Sequence, residues 1–386
     1  MNFSYSLPVN IQFGRGKAAS VGEEVARLGN KVLLVTGRHS CKRTGLLDRC
    51  LQALNAAGVT VELFDCVEAN PLTTTIDSGG ERLRATGCNV VLGIGGGSVM
   101  DAAKGIAFMG RHRGKITDYL HLPQVEGEAV ALVLMTTTAG TGSEGNCVAV
   151  FTNPFTHDKL VFFTPLLFAR TAIVDPELMV TLPAPMVAAT GFDALSHNIE
   201  ALVGNFVQPM SEIMARQAIA LLARHLPRVF RDATDIESWE QVCWANTLGG
   251  MAIGLSACGL PHAMEHPLSG LHNITHGVGL AALYPALMDF SWRSNVSAFA
   301  TVAQALDLTG ATAAMGEIDR ARHSIRLVRE MIASLNLAFT LSDLGVKGEE
   351  IDWMTRRCCE TMQVSIQQNP RLASADDIRA LYLACL

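Results

Sequence analysis

The first 180 residues of the chain alternate short apolar runs with amphipathic helical segments. Runs rich in β-branched residues predict strands, and apolar residues at helical spacing predict helices. The predicted strands lie at residues 31–36, 60–64, 89–94 and 129–135, and the predicted helices include residues 18–28 and 45–57. This alternation is typical of a parallel sheet covered by helices, so we predict an α/β fold with a Rossmann-like sheet.

The pattern changes near residue 180. Residues 209–230, 239–255 and 318–335 show helical periodicity, and strand signals become rare. A chain of 386 residues is long enough for two domains with substantial cores. We therefore predict an α/β domain at residues 1–180 and an all-α domain at residues 181–386.

Composition excludes several kinds of partner. Hydrophobic residues make up 49% of the chain and charged residues 17%, as in globular proteins. The net charge is -6, and no long run of Lys or Arg offers a surface for nucleic acid, so we expect a small-molecule partner. The stretch between Glu240 and Glu265 has no charged side chain and is long enough for a membrane span. Glycines, a proline and polar residues interrupt it, so we expect a buried helix and no membrane partner.

The N-terminus and the cysteines bear on the compartment. Residues 1–8 have neither a basic leader nor an apolar core with a cleavage site, which predicts a mature N-terminus. The ten cysteines are scattered and lack the spacing of a zinc knuckle or a redox motif. We expect free thiols in a reducing cytoplasm.

A run of three glycines lies between the third predicted strand and a helix. Gly95, Gly96 and Gly97 permit a tight turn close to a pyrophosphate, and the helix start supplies N–H groups and the positive end of a dipole. The run differs from Gly-x-Gly-x-x-Gly, but its position predicts a dinucleotide site that includes Gly96, Gly97, Ser98 and Asp101. Ser98 and Asp101 also fit a capping box, which is a purely structural alternative.

The turn after the first predicted strand indicates which dinucleotide is bound. NAD-binding chains commonly place a carboxylate there for the ribose hydroxyls, whereas a 2′-phosphate favours cations and small hydroxyl residues. Residues 37–45 contain no carboxylate and three cations, Arg38, Lys42 and Arg43. The turn favours NADP over NAD, and the alternative is a solvated basic loop.

Two segments of the second half carry metal-binding residue types. Asp193 and His197 are four residues apart, so on a helix both side chains leave the same face. Residues 262–276 then hold four of the eleven histidines within fifteen residues. A lone histidine is usually structural, but Asp193, His197, His262 and His276 together form a ligand set suited to Fe²⁺ or Zn²⁺.

Several motifs together resemble the iron-containing (group III) alcohol dehydrogenase family. The matching stretches follow the family order and the resemblance covers essentially the whole chain; they are residues 95–104, 137–144, 189–197, 262–268 and 276–277. The resemblance implies a dehydroquinate synthase-like architecture, in which a nucleotide-binding domain and a helical metal-binding, catalytic domain enclose a cleft. It also implies that the four residues named above hold the metal, with Fe²⁺ the first choice and Zn²⁺ the second.

The resemblance further assigns the cofactor pocket. It implies cofactor contacts for Asn70, Gly97, Ser98, Thr137, Thr138, Thr141 and Lys159. The loop from Gly37 to Ser40 resembles that of NADP-preferring members. The family resemblance also implies that the chain forms a homodimer or a larger homo-oligomer.

His266 corresponds to a family histidine near the nicotinamide, and it lies one helical turn after His262. We hypothesise that His266 relays or positions the hydroxyl proton as a catalytic residue. The chain departs from the family at Glu265, where members usually have a small residue. We expect the Glu265 side chain to point to solvent.

The sequence thus predicts a metal-dependent, NAD(P)-linked alcohol dehydrogenase or aldehyde reductase that acts on a small alcohol or aldehyde. A dehydroquinate synthase-like, glycerol dehydrogenase-like or other polyol or hydroxy-acid enzyme of the same fold is an alternative, and so is a metal-free reductase. The full set of one Asp and three His argues against these. From another class, the chain could be a redox-inactive regulator that binds nucleotide or metal.

Overall fold

The chain folds into two compact units. The computed structural model describes residues 3–120, 122 and 124–386, and the first two residues of the N-terminal segment discussed above lie outside this range. The α/β unit comprises Ser6–Thr138 and Gly142–Thr181. The helical unit comprises Leu182–Leu386, Ala139–Thr141 and residues 3–5.

A parallel sheet forms the centre of the α/β unit. Its strands are β1 (Asn10–Phe13), β2 (Lys31–Gly37), β3 (Thr60–Val67), β4 (Val90–Gly95), β5 (Ala131–Thr136) and β8 (Thr171–Val174). Throughout the described residues of the sheet they run parallel, in the order β1-β8-β5-β4-β2-β3. The four predicted strands are confirmed as β2, β3, β4 and β5, whereas β1 and β8 were not predicted.

The strand order defines a point at which the chain reverses its progress across the sheet. From β2 the chain moves to β3 on one side and then crosses back to β4 on the other, so the reversal lies between β2 and β4. The order from β3 to β8 follows the 2-1-3-4-5 arrangement of flavodoxin-like doubly wound sheets. In such sheets ligands bind beyond the carboxyl ends of the strands at this point, where Gly37 and Gly95 lie.

Helices cover both faces of the sheet because the strand residues alternate in direction. The helices of this unit are α1 (Val21–Ala26), α2 (Ser40–Arg43), α3 (Leu46–Ala56), α4 (Thr73–Thr86) and α5 (Gly97–Met109). On one face Leu33 and Val91 pack with residues of α4 and α5, and on the other Leu34 and Leu92 pack with residues of α1 and α3. Strands buried on both faces explain why the predicted runs are almost continuously apolar.

An antiparallel hairpin adjoins α5. It consists of β6 (Val148–Thr152) and β7 (Lys159–Phe163), and Phe151 and Phe162 belong to the same core cluster as the apolar residues of α5. The hairpin was not predicted from the sequence. It fixes the position of Lys159 at the start of β7.

The helical unit contains long helices with extensive buried faces. They are α6 (Ala184–Val203), α7 (Pro209–Arg231), α8 (Ile236–Ser256), α9 (Leu260–His272), α10 (His276–Ser291), α11 (Val296–Leu306), α12 (Glu317–Ser334), α13 (Ile351–Thr361), α14 (Gln363–Gln368) and α15 (Ala375–Ala384). The predicted helices at 209–230, 239–255 and 318–335 are confirmed as α7, α8 and α12. The core around α9 joins Leu260, Met264 and Leu268 to apolar residues of α10, α13 and α15.

The uncharged stretch between Glu240 and Glu265 is divided between two helices. Helix α8 ends at Ser256, and α9 begins at Leu260. Among the described residues, no helix combines the length and the apolar character needed to cross a membrane. The two helices instead contribute many of the buried side chains of the helical unit.

Candidate metal and nucleotide sites

The four predicted metal ligands meet around one carboxylate oxygen. Asp193 and His197 lie on α6, His262 lies on α9, and His276 is the first residue of α10. Asp193 Oδ1 lies 3.7 Å from His197 Nε2, 3.5 Å from His262 Nε2 and 3.7 Å from His276 Nε2. Ligand atoms bound tetrahedrally at 2.1 Å lie about 3.4 Å apart. Asp193, His262 and His276 offer donor atoms that all lie within 4.8 Å of one another, which is compatible with one metal ion, and His197 Nε2 adjoins the same carboxylate oxygen.

Each imidazole is oriented through its other nitrogen. His197 Nδ1 donates to the Gly140 carbonyl at 3.3 Å, and His262 Nδ1 donates to the Glu200 carboxylate at 2.8 Å. His276 Nδ1 is paired with Glu265 Oε2. Such partners commonly fix the tautomer and ring orientation of metal-binding histidines. All three rings thereby direct Nε2 towards Asp193.

Two atoms at the centre of this cluster form no hydrogen bond in the described part of the chain. Asp193 Oδ1 and His262 Nε2 are buried, and neither has a hydrogen bond to any described residue. A buried polar group without a partner costs about 1–3 kcal/mol. A cation between these atoms would remove that cost, so the residues fit the metal that the sequence implies.

Electrostatics also favour positive charge at this centre. Burial alone would raise the pKa of Asp193, but His197, His276 and His262 outweigh it and hold the pKa of that carboxyl well below its usual range. Burial alone would lower the pKa of His262, yet Cys258 and Glu200 raise it well above its ordinary value. The cluster is therefore stabilised by a positive charge, which protons or a bound cation can supply.

The prediction for Glu265 was wrong. Its side chain is 0% exposed, is paired with His276 and accepts a hydrogen bond from Ser269 Oγ. Residues 260–269 of α9 are all buried, so this part of the helix has no face that reaches solvent. A carboxylate in such a helix needs a partner, and His276 provides one.

Two further residues of the cluster were missed in the sequence analysis. Glu200 follows Asp193 and His197 on α6 at the spacing of one helical face, which is a signal that could have identified it. Cys258 lies between α8 and α9, where no motif marks it. Burial alone would raise the pKa of the Cys258 thiol, but His262 and His197 outweigh it and lower that pKa.

His266 lies on α9 beside the cluster. It is buried, and its ring centroid is 5.8 Å from that of His276. Donor atoms of Glu265, His266 and His276 lie within 4.8 Å of one another. The structure thus brings His266 next to the predicted metal ligands.

The predicted nucleotide residues of the α/β unit gather at the carboxyl edge of the sheet. Gly37 ends β2, Gly96 and Gly97 follow β4, and Thr137 and Thr138 follow β5. These strands are neighbours in the order β2-β4-β5. The Thr137 N–H donates to the Gly95 carbonyl at 3.0 Å, which ties two of the turns together.

The glycine turn leaves no room for larger side chains. A Cβ at Gly96 would lie 2.9 Å from Thr138 Oγ1, so only glycine allows this close approach. Gly96 is the N-cap of α5, and no described side chain forms a cap hydrogen bond there. The start of α5 therefore suits an anion, as expected for a pyrophosphate. Asn70, with φ 51°, lies beside this turn, and its N–H donates to Ser98 Oγ at 3.3 Å.

The capping alternative for Ser98 and Asp101 is wrong. The helix begins at Gly97, so Ser98 already lies within it. Asp101 Oδ1 accepts a hydrogen bond from Ser143 Oγ at 2.7 Å, and Oδ2 accepts one from the Val150 N–H at 2.9 Å. Asp101 thus links α5 to the segment that leads into β6. Burial raises the pKa of Asp101, against the opposing effects of Lys104 and, more weakly, of Lys159.

Thr141 and the basic turn after β2 are the remaining predicted nucleotide residues. Thr141 belongs to the helical unit, and Ser40 is the first residue of α2. Lys42 forms an ion pair with Asp65, and Arg38 lies 3.9 Å from Glu68. The carboxylates that the turn itself lacks are therefore supplied by β3 and the residues after it.

Comparison with known proteins identifies the family. The model for iron-containing alcohol dehydrogenases matches residues 8–176, and the model for the C-terminal part of the Fe-containing alcohol dehydrogenase family matches residues 187–386. Together they cover both units, and the resemblance inferred from the motifs is confirmed.

Relatives and solved structures agree over the full length. The chain is 31% identical to the NAD-dependent methanol dehydrogenase of Bacillus methanolicus, with 97% of each protein covered. It is 30% identical to the NADPH-dependent butanol dehydrogenase of Clostridium saccharobutylicum, covering 98% of this chain and 96% of that protein. The crystal structure of an archaeal alcohol dehydrogenase from a Red Sea brine pool superimposes with a TM-score of 0.94 at 32% identity, covering 100% of this chain and 99% of that one.

The predicted fold class is confirmed by these structures and by the parallel sheet. Since the family models, the relatives and the fold agree, the chain belongs to the iron-containing alcohol dehydrogenase family and is a metal-dependent, NAD(P)-linked alcohol oxidoreductase.

Proposed function

We propose that the chain interconverts a small alcohol and its aldehyde, with NADP as the hydride carrier and Fe²⁺ held by Asp193, His197, His262 and His276. The observation that supports this most strongly is the position of Asp193 Oδ1, which lies within 3.7 Å of three imidazole nitrogens. When bound, the cation supplies Lewis-acid stabilisation of the substrate oxygen, and the nicotinamide carries the hydride.

The chain's own residues hold and orient these groups. Asp193 provides a hard oxygen donor and the histidines provide nitrogen donors, a combination that suits either Fe²⁺ or Zn²⁺, and the family resemblance makes Fe²⁺ the first choice. Glu200 and Glu265 accept the Nδ1 protons of His262 and His276, so both rings present Nε2. Burial of Asp193, His197 and His262 limits the access of water to that side of the cluster and strengthens its interactions with charge on a substrate oxygen.

His266 is our candidate for moving the hydroxyl proton. It lies one helical turn from His262 and next to His276. The Nδ1 atom of His276 is paired with Glu265, so His266 is not the residue that orients the His276 ring. An imidazole in this position can accept a proton from an alcohol or return it to a product.

The nucleotide would bind at the carboxyl edge of β2, β4 and β5. The pyrophosphate fits the start of α5 at Gly96, Gly97 and Ser98, and we assign Asn70, Thr137, Thr138 and Lys159 to the same pocket. The family resemblance adds Thr141 of the helical unit to the cofactor contacts. Both oxygens of Asp101 already accept hydrogen bonds from protein, so we propose that Asp101 supports this pocket through Ser143 and Val150.

The preference for NADP rests on the turn from Gly37 to Arg43. No carboxylate lies within the turn, and Ser40 and Arg43 are available for a 2′-phosphate. The pairs Lys42–Asp65 and Arg38–Glu68 reduce the net positive charge of the turn, so Ser40 and Arg43 become the decisive side chains. We also propose a cytoplasmic location and a homodimer or larger homo-oligomer, on the basis of the scattered cysteines and the family resemblance.

The central prediction is metal-dependent turnover. Short alcohols and aldehydes should be interconverted when the absorbance of reduced nicotinamide is followed. Complete chelation should abolish the reaction, because the four ligands then have no cation to hold. Anaerobic Fe²⁺ should restore it more fully than Zn²⁺. Turnover that survives verified metal removal would contradict the mechanism, and nucleotide binding without turnover of any alcohol, polyol or aldehyde would support a regulator instead.

Glu265 should strengthen metal binding through His276. In Glu265→Ala the His276 ring loses the partner that fixes it, so the dissociation constant for the metal should rise about 10- to 100-fold. The measurement is a competition titration with a chelating dye. Glu330→Ala, which removes an exposed carboxylate of α12, is the control and should leave the constant unchanged. Equal affinity in the two variants would exclude this role for Glu265.

The cofactor preference should depend on Gly37. Its φ lies outside the left-handed region, and a Cβ there would lie 3.6 Å from the Val67 carbonyl oxygen, so a side chain is accommodated. Gly37→Asp should repel a 2′-phosphate and shift the ratio of kcat/KM values from NADPH towards NADH by about tenfold or more, which is about 1.4 kcal/mol. Gly37→Asn is the control of equal size and should shift the ratio much less. A wild-type preference for NADH would refute the NADP assignment.

His266 should affect turnover and leave the metal in place. His266→Ala should lower kcat about 100-fold, since a positioned acid–base group contributes at least that much. Metal content, measured by elemental analysis, should stay at the wild-type value. His272→Ala on the same helix, where His272 pairs with Glu350, is the control. An unchanged kcat in His266→Ala would rule out the proton-transfer role.

A further inference from the structure

A cysteine lies against the proposed metal centre and has no assigned role. Cys258 occupies the link between α8 and α9, and its Sγ lies within 4.8 Å of ring nitrogens of His197 and His262, which lie within the same distance of each other. Three donors at this spacing can bind one cation. Two of them belong to the ligand set proposed above, and the third is the soft sulfur.

The link is held in place from both sides. Ala257 adopts φ 60°, which is unusual for a residue with a side chain, and its N–H donates to the Ile253 carbonyl at 2.8 Å. The Gly259 N–H donates to Glu200 Oε2 at 2.6 Å. Glu200 also accepts from His262 Nδ1, so one carboxylate fixes both the link and the ring beside it.

The histidine nitrogens point to a ligand independently of the thiol. His262 is 3% exposed, its Nδ1 is occupied by Glu200, and its Nε2 has no hydrogen-bond partner among the described residues. His197 Nδ1 donates to Gly140, so its Nε2 is likewise the atom left to bind a cation. The two rings stack with their centroids 4.6 Å apart. One ring nitrogen of each histidine also lies within 4.8 Å of Cys258 Sγ.

The donors around His262 divide into two overlapping groups. Asp193, His262 and His276 form a harder set, and His197, Cys258 and His262 form a softer one. Carboxylate oxygens favour hard cations, whereas thiolates favour Zn²⁺, Cd²⁺ and related cations. The identity of the cation should therefore decide which group binds it.

We propose that His197, Cys258 and His262 form a second, thiolate-containing site for a thiophilic divalent cation, which overlaps the Asp193 centre and cannot be filled together with it. On binding, the Cys258 thiol releases its proton to solvent and a sulfur–metal bond forms, without any transfer of electrons. This proposal rests on the proposed function only because the two sites share His197 and His262.

Cadmium is a suitable probe because its thiolate complexes absorb in the ultraviolet. Metal-free, fully reduced protein titrated with Cd²⁺ should bind one ion per chain with a sulfur-to-metal absorption band. Cys258→Ser should lose the band and bind Cd²⁺ at least about tenfold more weakly, because a soft donor is replaced by a hard one. Cys359→Ser, which changes another partly buried cysteine of the helical unit, should behave as wild type.

Manganese, a hard cation, provides the complementary measurement. Cys258→Ser should bind Mn²⁺ as wild type does, whereas Asp193→Asn should weaken Mn²⁺ binding and keep the cadmium band. Thermal melts of the metal-free variants establish that each is folded.

Three results would overturn the proposal: no band in folded wild-type protein, a band that persists in Cys258→Ser, or loss of the band in Asp193→Asn. None of these measurements requires turnover. If the protein showed the expected cadmium and manganese results but no dehydrogenase activity with Fe²⁺, the thiolate site would stand and the proposed function would fail.

Discussion

One buried carboxylate oxygen, Asp193 Oδ1, constrains the positions of three helices of the helical unit, because an imidazole approaches it from each of them. A charge taken out of water in this way is unfavourable unless opposite charge or strong hydrogen bonds surround it. Glu200 and Glu265 extend the arrangement outward by holding two of the rings. Glu200 on α6 and Glu265 on α9 are therefore buried because they orient the imidazoles around Asp193 Oδ1.

Much of the fold follows from sequence patterns, and the exceptions have physical reasons. Strands β2, β3, β4 and β5 were predictable because they are apolar and are separated by helices. Strands β1 and β8 have only four residues each, too few to show a period. Strand β8 also lies close to the predicted domain boundary at residue 180, and the turn between β6 and β7 has no characteristic hairpin pair.

The candidate site was predictable where it depends on helical spacing and not where it depends on tertiary packing. The pair Asp193 and His197 shows its shared face in the sequence, and the same rule would have added Glu200. Glu265 could not be placed, since only the packing of α9 against other helices shows that every side of it is covered. Cys258 approaches the histidines because an irregular link turns it towards them, and no local pattern encodes such a turn.

The convergence of α6, α9 and α10 on Asp193 has a thermodynamic consequence. Whatever cation binds there is a non-covalent cross-link between three segments that are far apart in sequence, and the unfolded chain has no equivalent binding site. By mass action, the conformational stability of the helical unit then depends on the availability of free metal in the surroundings. Lifetime against proteolysis and heat is thus coupled to metal supply.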